Sequence, residues 1–271
     1  MLIYIICFVL GLIFGSFMNV LIYRLPRDIS IIYPSSYCPN CGSKIKLYNN
    51  IPLVSYILLK GRCSCCNSRI SIRYPLVEFS YALVVLVFAI NFGVGYSFIY
   101  YSIFAFFLLA ASYSDLFTLM DKNFTTGVIP NSINYTGICL GVVLSILPNI
   151  VNIQQFGLDI NFKQSIIGAV SGYIFLYIPN LVYKLLKGYD GIGGGDMKLL
   201  AVVGSFMGIK FVLFVLFISS LIGSIVGIII VLITRNKNFP IPFGPFIAIS
   251  ALLLIFLKDY ISNIYNMGFV K

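Results

Sequence analysis

Long apolar runs separated by short polar connections make up most of this chain. The runs cover 2–23, 76–95, 98–114, 131–151, 164–186, 197–209, 211–233 and 246–262. Most of them approach the ~20 residues that a helix needs to cross a bilayer. The pattern predicts an all-α polytopic membrane protein of about eight transmembrane helices. The sixth run is short, so it is expected to be tilted or buried among its neighbours. The first run has no basic flank and no clear small-residue cleavage site, so it reads as a retained span rather than a cleaved signal. Between the first two runs lies the one sizeable polar piece, 24–75. At about fifty residues it has too little core to fold without a staple. The expected parts are a first helix 1–23, a soluble loop domain 24–75 and a membrane domain 76–271.

Composition supports this division. Hydrophobic residues are 60% of the chain, charged residues 10%, and the mean hydropathy is +1.01. The net charge of +10 invites a nucleic-acid reading. The basic residues are interleaved with apolar runs, however, which is the pattern of membrane topology and not of a nucleic-acid footprint. Fourteen of the eighteen Lys and Arg residues fall on one side of an eight-span arrangement, eight of them within 24–75. By the positive-inside rule that side is cytoplasmic, and both termini face outward. The same arrangement puts Asp115 and Asp196 on the cytoplasmic face.

Histidine is absent. That excludes Ser-His and Cys-His nucleophile pairs, His-based zinc proteases and histidine-held haem. Acid–base chemistry must come from the eight acids or from Lys, Tyr or Cys.

Within 24–75, Cys38-Pro39-Asn40-Cys41 and Cys63-Ser64-Cys65-Cys66 form two C-x-x-C pairs. This arrangement predicts a structural Zn2+ held by Cys38, Cys41, Cys63 and Cys66, with Cys65 a bystander. Gly42 and Asn67, directly after each pair, tolerate the positive φ that a tight knuckle requires. Two disulfides are the competing reading, disfavoured in a reducing cytoplasm. Cys7 and Cys139 lie in apolar runs and are expected to be plain core residues.

Among the acids, Asp28, Asp159 and Asp259 read as solvated charges, and Asp190 as a loop residue. Glu78, near the start of the second span, is expected to snorkel to the interface or to pair with a base. Asp196 differs: it closes Gly193-Gly194-Gly195 at the mouth of an apolar run, where a carboxylate is costly to keep. Asp115 follows Ala110-Ala111-Ser112-Tyr113-Ser114 at the end of the third span. Two carboxylates held close cannot both ionise readily, so they share a proton and can hold a water between them. That is the equipment of an aspartic peptidase. A phosphate-binding loop is a weak alternative for the glycine run, because the G-x-x-x-x-G-K-[ST] order is missing.

With these residues in view, the chain resembles the bifunctional bacterial type IV prepilin peptidases over nearly its whole length. The resemblance rests on Gly15-Ser16-Phe17-Met18-Asn19-Val20 with Arg24-Leu25-Pro26, the paired C-x-x-C loop, and Ile70 through Glu78. It continues in Asp115, Ile129-Pro130-Asn131, Gly193-Gly194-Gly195-Asp196-Met197-Lys198 and Pro242-Phe243-Gly244-Pro245. It implies Asp115 and Asp196 as the catalytic pair, with Gly193, Gly195 and Lys198 supporting the second. The stretch from Asp115 to Pro130 is longer than usual in such proteins, which leaves Asp121 as an alternative to Asp115. Asp115 is favoured because it ends a helix after a run of small residues.

The resemblance further implies cleavage of the leader from prepilins and from pilin-like secretion or competence subunits. That cleavage takes place at the cytoplasmic face of the bacterial inner membrane, as in type IV pilus and type II secretion systems. It also implies N-methylation of the new terminus with S-adenosylmethionine as donor. Partners are then these substrates and membrane lipid, with no nucleic acid; the oligomeric state is left open. The alternatives are a peptidase without methylation, a transporter using the aspartates as a proton or cation relay, and a structural scaffold for a pilus or secretion machine.

Overall fold

The computed structural model describes residues 1–147, 160–235 and 240–268, without the side chains of 258–268. The end of the fourth expected span, Asp159, Lys237 and Lys271 lie outside the described residues. So do the side chains of Lys258 and Asp259.

The described chain is helical, and its only β pairing is two isolated bridges, Tyr37 with Lys44 and Arg62 with Arg69. The helices are α1 (Leu2–Arg24), α2 (Val54–Leu58), α3 (Arg73–Phe92), α4 (Tyr96–Leu119), α5 (Asn131–Leu144), α6 (Phe162–Lys187), α7 (Gly194–Thr234) and α8 (Gly244–Gly268). Five of them, α1, α3, α4, α6 and α7, are long and apolar enough to cross a membrane, while Asn131–Leu144 and Gly244–Leu257 are shorter apolar helices. At ~1.5 Å per residue the 41 residues of α7 would measure about 60 Å, twice the hydrocarbon thickness. Gly208 resolves this. Its φ of 75° and ψ of 170° break the helix in two, which corresponds to the expected sixth and seventh runs. A side chain at this position would be strained, and glycine is not.

Two compact units divide the chain, Met1–Phe106 and Phe107–Lys271, with the boundary inside α4. In the first unit α1 lies against α3 with no room for a Cβ at Gly11 or Gly15, which face the backbones of Ala82 and Glu78. Small residues let backbones approach in a membrane, where no hydrophobic drive holds helices together. Tyr81 donates to the Ser102 carbonyl at 3.0 Å and ties α3 to the start of α4. Arg24 is buried at the end of α1 and donates to the carbonyls of Ser30 (2.9 Å) and Pro34 (2.7 Å), which turns the chain into the loop domain. Among the described residues Glu78 pairs with no base. It is buried and accepts from the Leu53 amide at 2.8 Å, so the carboxylate satisfies a backbone donor of the loop instead.

In the second unit the first half of α7 is central. Leu199, Leu200, Val202, Val203 and Phe206 are fully buried. Gly168 and Gly204 bring the backbones of α6 and α7 into contact, and Ser165 donates across to the Ser205 carbonyl at 2.7 Å. Gly141 of α5 closes on Ser205 and Phe206. The shortest expected span is therefore the one lined by protein. Cys7 is buried as expected, but Cys139 is exposed on α5. A thiol suits an apolar surroundings on either face of a membrane helix.

Candidate active site and metal centre

Asp115 lies inside α4, which runs one turn beyond it to Leu119, so the residue does not end the helix as the apolar pattern suggested. Its neighbours fix the chain that returns toward it. Ser114 Oγ donates to the Val128 carbonyl at 2.8 Å, and the Val128 amide donates to Thr118 Oγ1 at 2.7 Å. Both backbone groups of Val128 are thus held by α4, and Gly127 lies against the Asp115 carboxylate with no space for a Cβ. From the start of α8 the Gly244 amide donates to Asp115 Oδ2 at 3.0 Å. Asp115 is 5% exposed. Asp121 has a different setting, in the turn after α4. Its Oδ1 accepts from the Asn123 amide at 3.0 Å and from Asn123 Nδ2 at 2.9 Å, a turn-stabilising pattern.

Asp196 occupies the first turn of α7, whose N-cap is Gly193. Its amide donates to the Gly193 carbonyl at 3.1 Å. Its Oδ1 is buried with no hydrogen-bond partner. Such an atom calls for a partner from outside the protein, since a buried acceptor left unpaired is costly. Ile129 lies against the residue before Asp196 and the residue bonded to Asp115: a Cβ on Gly195 would fall 2.9 Å from Ile129 Cβ, and one on Gly244 3.3 Å from Ile129 Cδ1. Three chain returns therefore converge here, from 127–129, 193–196 and 243–244. Lys198 turns elsewhere. Its Nζ donates to Asn131 Oδ1 at 2.6 Å and lies 5.3 Å from the Tyr135 ring centroid, so it locks α5 to α7. Asn134, fully buried, donates to the Gly195 carbonyl at 3.2 Å.

The loop before Asp196 is organised by a residue that sequence reasoning passed over. Asn180 is buried in α6 next to Pro179. Its Oδ1 accepts from the amides of Gly191 (2.8 Å) and Ile192 (2.9 Å), and its Nδ2 donates to Asp190 Oδ1 at 2.9 Å. Lys184 completes the clasp on Asp190 Oδ2 at 2.9 Å. The hydrogen bonds from Lys184 and then Asn180 hold the Asp190 carboxyl below the usual carboxylate range. The available signal was an asparagine in an apolar helix, since a polar side chain there needs a partner.

In the loop domain the two C-x-x-C pairs form matching knuckles. The Cys38 amide donates to the Ser43 carbonyl and the Gly42 amide to the Cys38 carbonyl, at 2.9 and 2.8 Å. The Cys63 amide donates to the Ser68 carbonyl and the Asn67 amide to the Cys63 carbonyl, at 2.9 and 3.0 Å. Gly42 and Asn67 have φ of 68° and 56°, as the sequence predicts. The sulfurs of Cys38, Cys41, Cys63 and Cys66 all lie within 4.8 Å of one another, and those of Cys38 and Cys66 are 3.9 Å apart. Tetrahedral zinc at ~2.3 Å per thiolate sets its sulfurs about 3.8 Å apart, whereas a disulfide needs about 2.0 Å. These four residues fit a metal, and all are free thiols. The amides of Cys41 and Asn40 bring the Cys38 thiol down to about 6, toward the thiolate that binds metal. Cys65 lies outside the cluster.

Fold and site define a polytopic helical membrane protein with two carboxylates, Asp115 buried and Asp196 partly buried, in one unit and a four-cysteine cluster in the other. Residues 9–92 match the Bacterial Peptidase A24 N-terminal domain and residues 102–228 the Type IV leader peptidase family. The chain belongs to the type IV leader peptidase family. It is similar to the prepilin leader peptidase/N-methyltransferase of Pseudomonas putida, at 34% identity over 96% of this chain and 93% of the relative. It is 35% identical to the protein of that name from Vibrio cholerae, over 94% of this chain and 97% of the relative. With the Neisseria gonorrhoeae protein of that name it shares 32% identity over 95% and 92%. No solved structure matches the chain.

Proposed function

We propose that this chain removes the leader peptide of type IV prepilins and pilin-like subunits and methylates the new N-terminal amine, with Asp115 and Asp196 as the catalytic pair. The observation that carries the peptidase reading is the convergence of 127–129, 193–196 and 243–244 on two carboxylates, with Asp196 Oδ1 unpartnered and Asp115 Oδ2 held by the Gly244 amide. One carboxylate takes a proton from a water held between them, and the resulting hydroxide attacks the scissile carbonyl carbon. The other carboxyl gives its proton to the carbonyl oxygen. Collapse of the tetrahedral species then breaks the C–N bond, and the leaving amine takes a proton from the pair. The pair titrates as a unit, so the roles are not divided between the two residues.

Placement in the bacterial inner membrane, with this pair at the cytoplasmic face and both termini outside, follows from the basic loops. The division of labour we propose is an anchoring helix 1–23, a loop domain 24–75 with structural Zn2+ on Cys38, Cys41, Cys63 and Cys66, and a peptidase domain 76–271. Four thiolates leave no open position on the metal, so its role is to hold the loop. S-adenosylmethionine supplies the methyl group; we assign no residue to it. Gly193 and Gly195 let the chain close on Asp196, and Lys198 fixes the α5–α7 junction beside it.

The test is co-expression with a prepilin, reading the cleavage site and the mass of the new N-terminus together. Leader removal with a terminus heavier by one methyl group supports both activities. An intact precursor overturns the peptidase reading, and an unmethylated terminus leaves a peptidase alone.

A further inference from the structure

Within the loop domain a 3-10 turn, Leu47–Asn50, is tied to α2 through Ser55. The Ser55 hydroxyl accepts from the Ile51 amide at 3.0 Å and donates to the Tyr48 carbonyl at 2.9 Å. Ser55 is buried, so that side of α2 faces the turn. Val54, Ile57 and Leu58, at i, i+3 and i+4, share another side, and all three are exposed. With Leu47, Tyr48 and Ile51 they form a run of large apolar or aromatic side chains left uncovered, Leu47 being 91% and Leu58 74% exposed. A loop that faces only water seldom presents so dense a patch.

Two observations say what covers it. The first is charge. Lys44 and Lys46 precede the segment, Lys60 and Arg62 follow it, and all four are exposed. Lys46 Nζ lies 5.7 Å from the Tyr48 ring centroid, so cation and patch share a side. Asp28 is the only acid in 24–75. An apolar patch with a basic rim fits a surface that is both apolar and anionic. A second copy of the chain would bring the same positive rim, and the two would repel.

The second is position. Gly11 meets the backbone of Ala82 and Gly15 that of Glu78, so α1 and α3 run antiparallel, and the loop begins and ends at one bilayer surface. The 20 residues of α3 measure about 30 Å, the thickness of the hydrocarbon layer. Glu78 lies roughly 7 Å below the start of that helix. Its Oε2 takes the amide of Leu53, the residue before α2, at 2.8 Å. Leu53 has a φ of 58°, which leucine rarely adopts. A bond to a membrane span thus holds α2 near the ~5–10 Å depth that interfacial elements reach.

We propose that 47–58 is an interfacial docking element for the bilayer that the chain itself spans. The apolar patch beds among the headgroups on the side where α1 and α3 meet the loop, and Lys44, Lys46, Lys60 and Arg62 take the phosphates of anionic phospholipid. The loop domain then lies against the membrane instead of swinging from two tethers. This does not depend on the leader-peptidase reading.

The chain contains no tryptophan, so a single one reports its own surroundings. The full chain carrying Leu58→Trp, or Ile57→Trp as a second position on the same side, is reconstituted in vesicles of phosphatidylcholine and phosphatidylglycerol. Both are expected to emit at shorter wavelength than tryptophan in water, and to lose emission to lipid brominated high on its acyl chains. Asn40→Trp, at the tip of the first knuckle, is expected to emit as in water and to escape quenching. Leaving out phosphatidylglycerol should weaken the quenching at Leu58→Trp, and adding K44Q, K46Q, K60Q and R62Q should abolish that dependence. Thermal melting checks that each variant is folded. Water-like emission at both positions, or equal quenching at Asn40→Trp, would overturn the docking. So would short-wavelength emission without quenching, which marks a protein cover such as a second copy. An unchanged response to phosphatidylglycerol in the four-glutamine variant, or the same response to free inorganic phosphate, would overturn the anionic-lipid contact.

Discussion

The four-cysteine cluster and the carboxylate pair are built on opposite plans. Each cysteine knuckle is closed by amides within five residues of its first thiol, and the two knuckles repeat the same bonds. The carboxylate pair has no such local frame. Asp115 is clamped through Val128 and by Gly244, 129 residues away in sequence, and Asp196 is reached through a loop that Asn180 holds. A local frame can be encoded in a short pattern and needs only a metal to close it. A distributed frame needs the whole bundle, and in return it can hold two like charges where water is scarce. The four-cysteine site is a staple, and the pair is a device that depends on the fold around it.

That contrast predicts different failures. Asp115→Asn or Asp196→Asn is expected to lower leader cleavage by roughly 10²–10⁴-fold, the usual worth of a positioned acid–base group. Because the frame lies elsewhere, the protein should still insert and fold, as judged by membrane fractionation and thermal melting. Full processing by either variant would remove the pair from the mechanism. Cys38→Ser and Cys63→Ser should do the reverse. Bound zinc falls, the 24–75 segment becomes open to proteolysis because metal binding there is folding energy, and cleavage suffers much less than in the aspartate variants. Metal analysis of purified protein checks this, and unchanged zinc would break the ligand set.

Asn180→Ala sharpens the comparison, because Asn180 bonds the loop and neither Asp115 nor Asp196. It leaves the Gly191 and Ile192 amides without their acceptor, at a cost of about 1–3 kcal/mol. Cleavage should slow about tenfold, with faster hydrogen exchange at those two amides and no loss of zinc. Normal turnover with loosened amides would show that the loop's order is not needed for catalysis.

What the sequence disclosed follows the same line. The spans, the break near residue 210 and the four-cysteine cluster were legible because each is a local pattern: an apolar run, a lysine between runs, a spacing. Asp196 was legible because three glycines and a carboxylate are out of place beside an apolar helix. The extent of α4 past Asp115 was not, since Ser114 and Thr118 read as polar ends although they bond α4 and the 128 backbone. The bond from the Leu53 amide to Glu78 and the Asn180 clasp were also hidden. A buried polar residue announces that it has a partner, but only the folded chain says which one.

The smallest effect concerns Asp190 and Lys184, about half exposed, whose pairing in solvent is weak. The hydrogen bonds from Lys184 and Asn180 hold the folded Asp190 carboxyl below its unfolded value of about 4. A group lowered in this way contributes stability that is fully present above the unfolded value and fades as pH falls through the folded one. Hydrogen exchange at Gly191 and Ile192, corrected for intrinsic rates, should therefore stay flat from neutrality to about pH 4 and rise only below it. Lys184→Met removes the larger of the two causes, so the acidic rise should shrink while the clasp from Asn180 persists. In Asp190→Asn the acidic onset should vanish from these amides. A rise of undiminished size in Lys184→Met would mean that Asn180 alone sets the loop. The frame around Asp196 would then be a purely neutral hydrogen-bond clasp, closer in kind to the cysteine knuckles than the distances suggest.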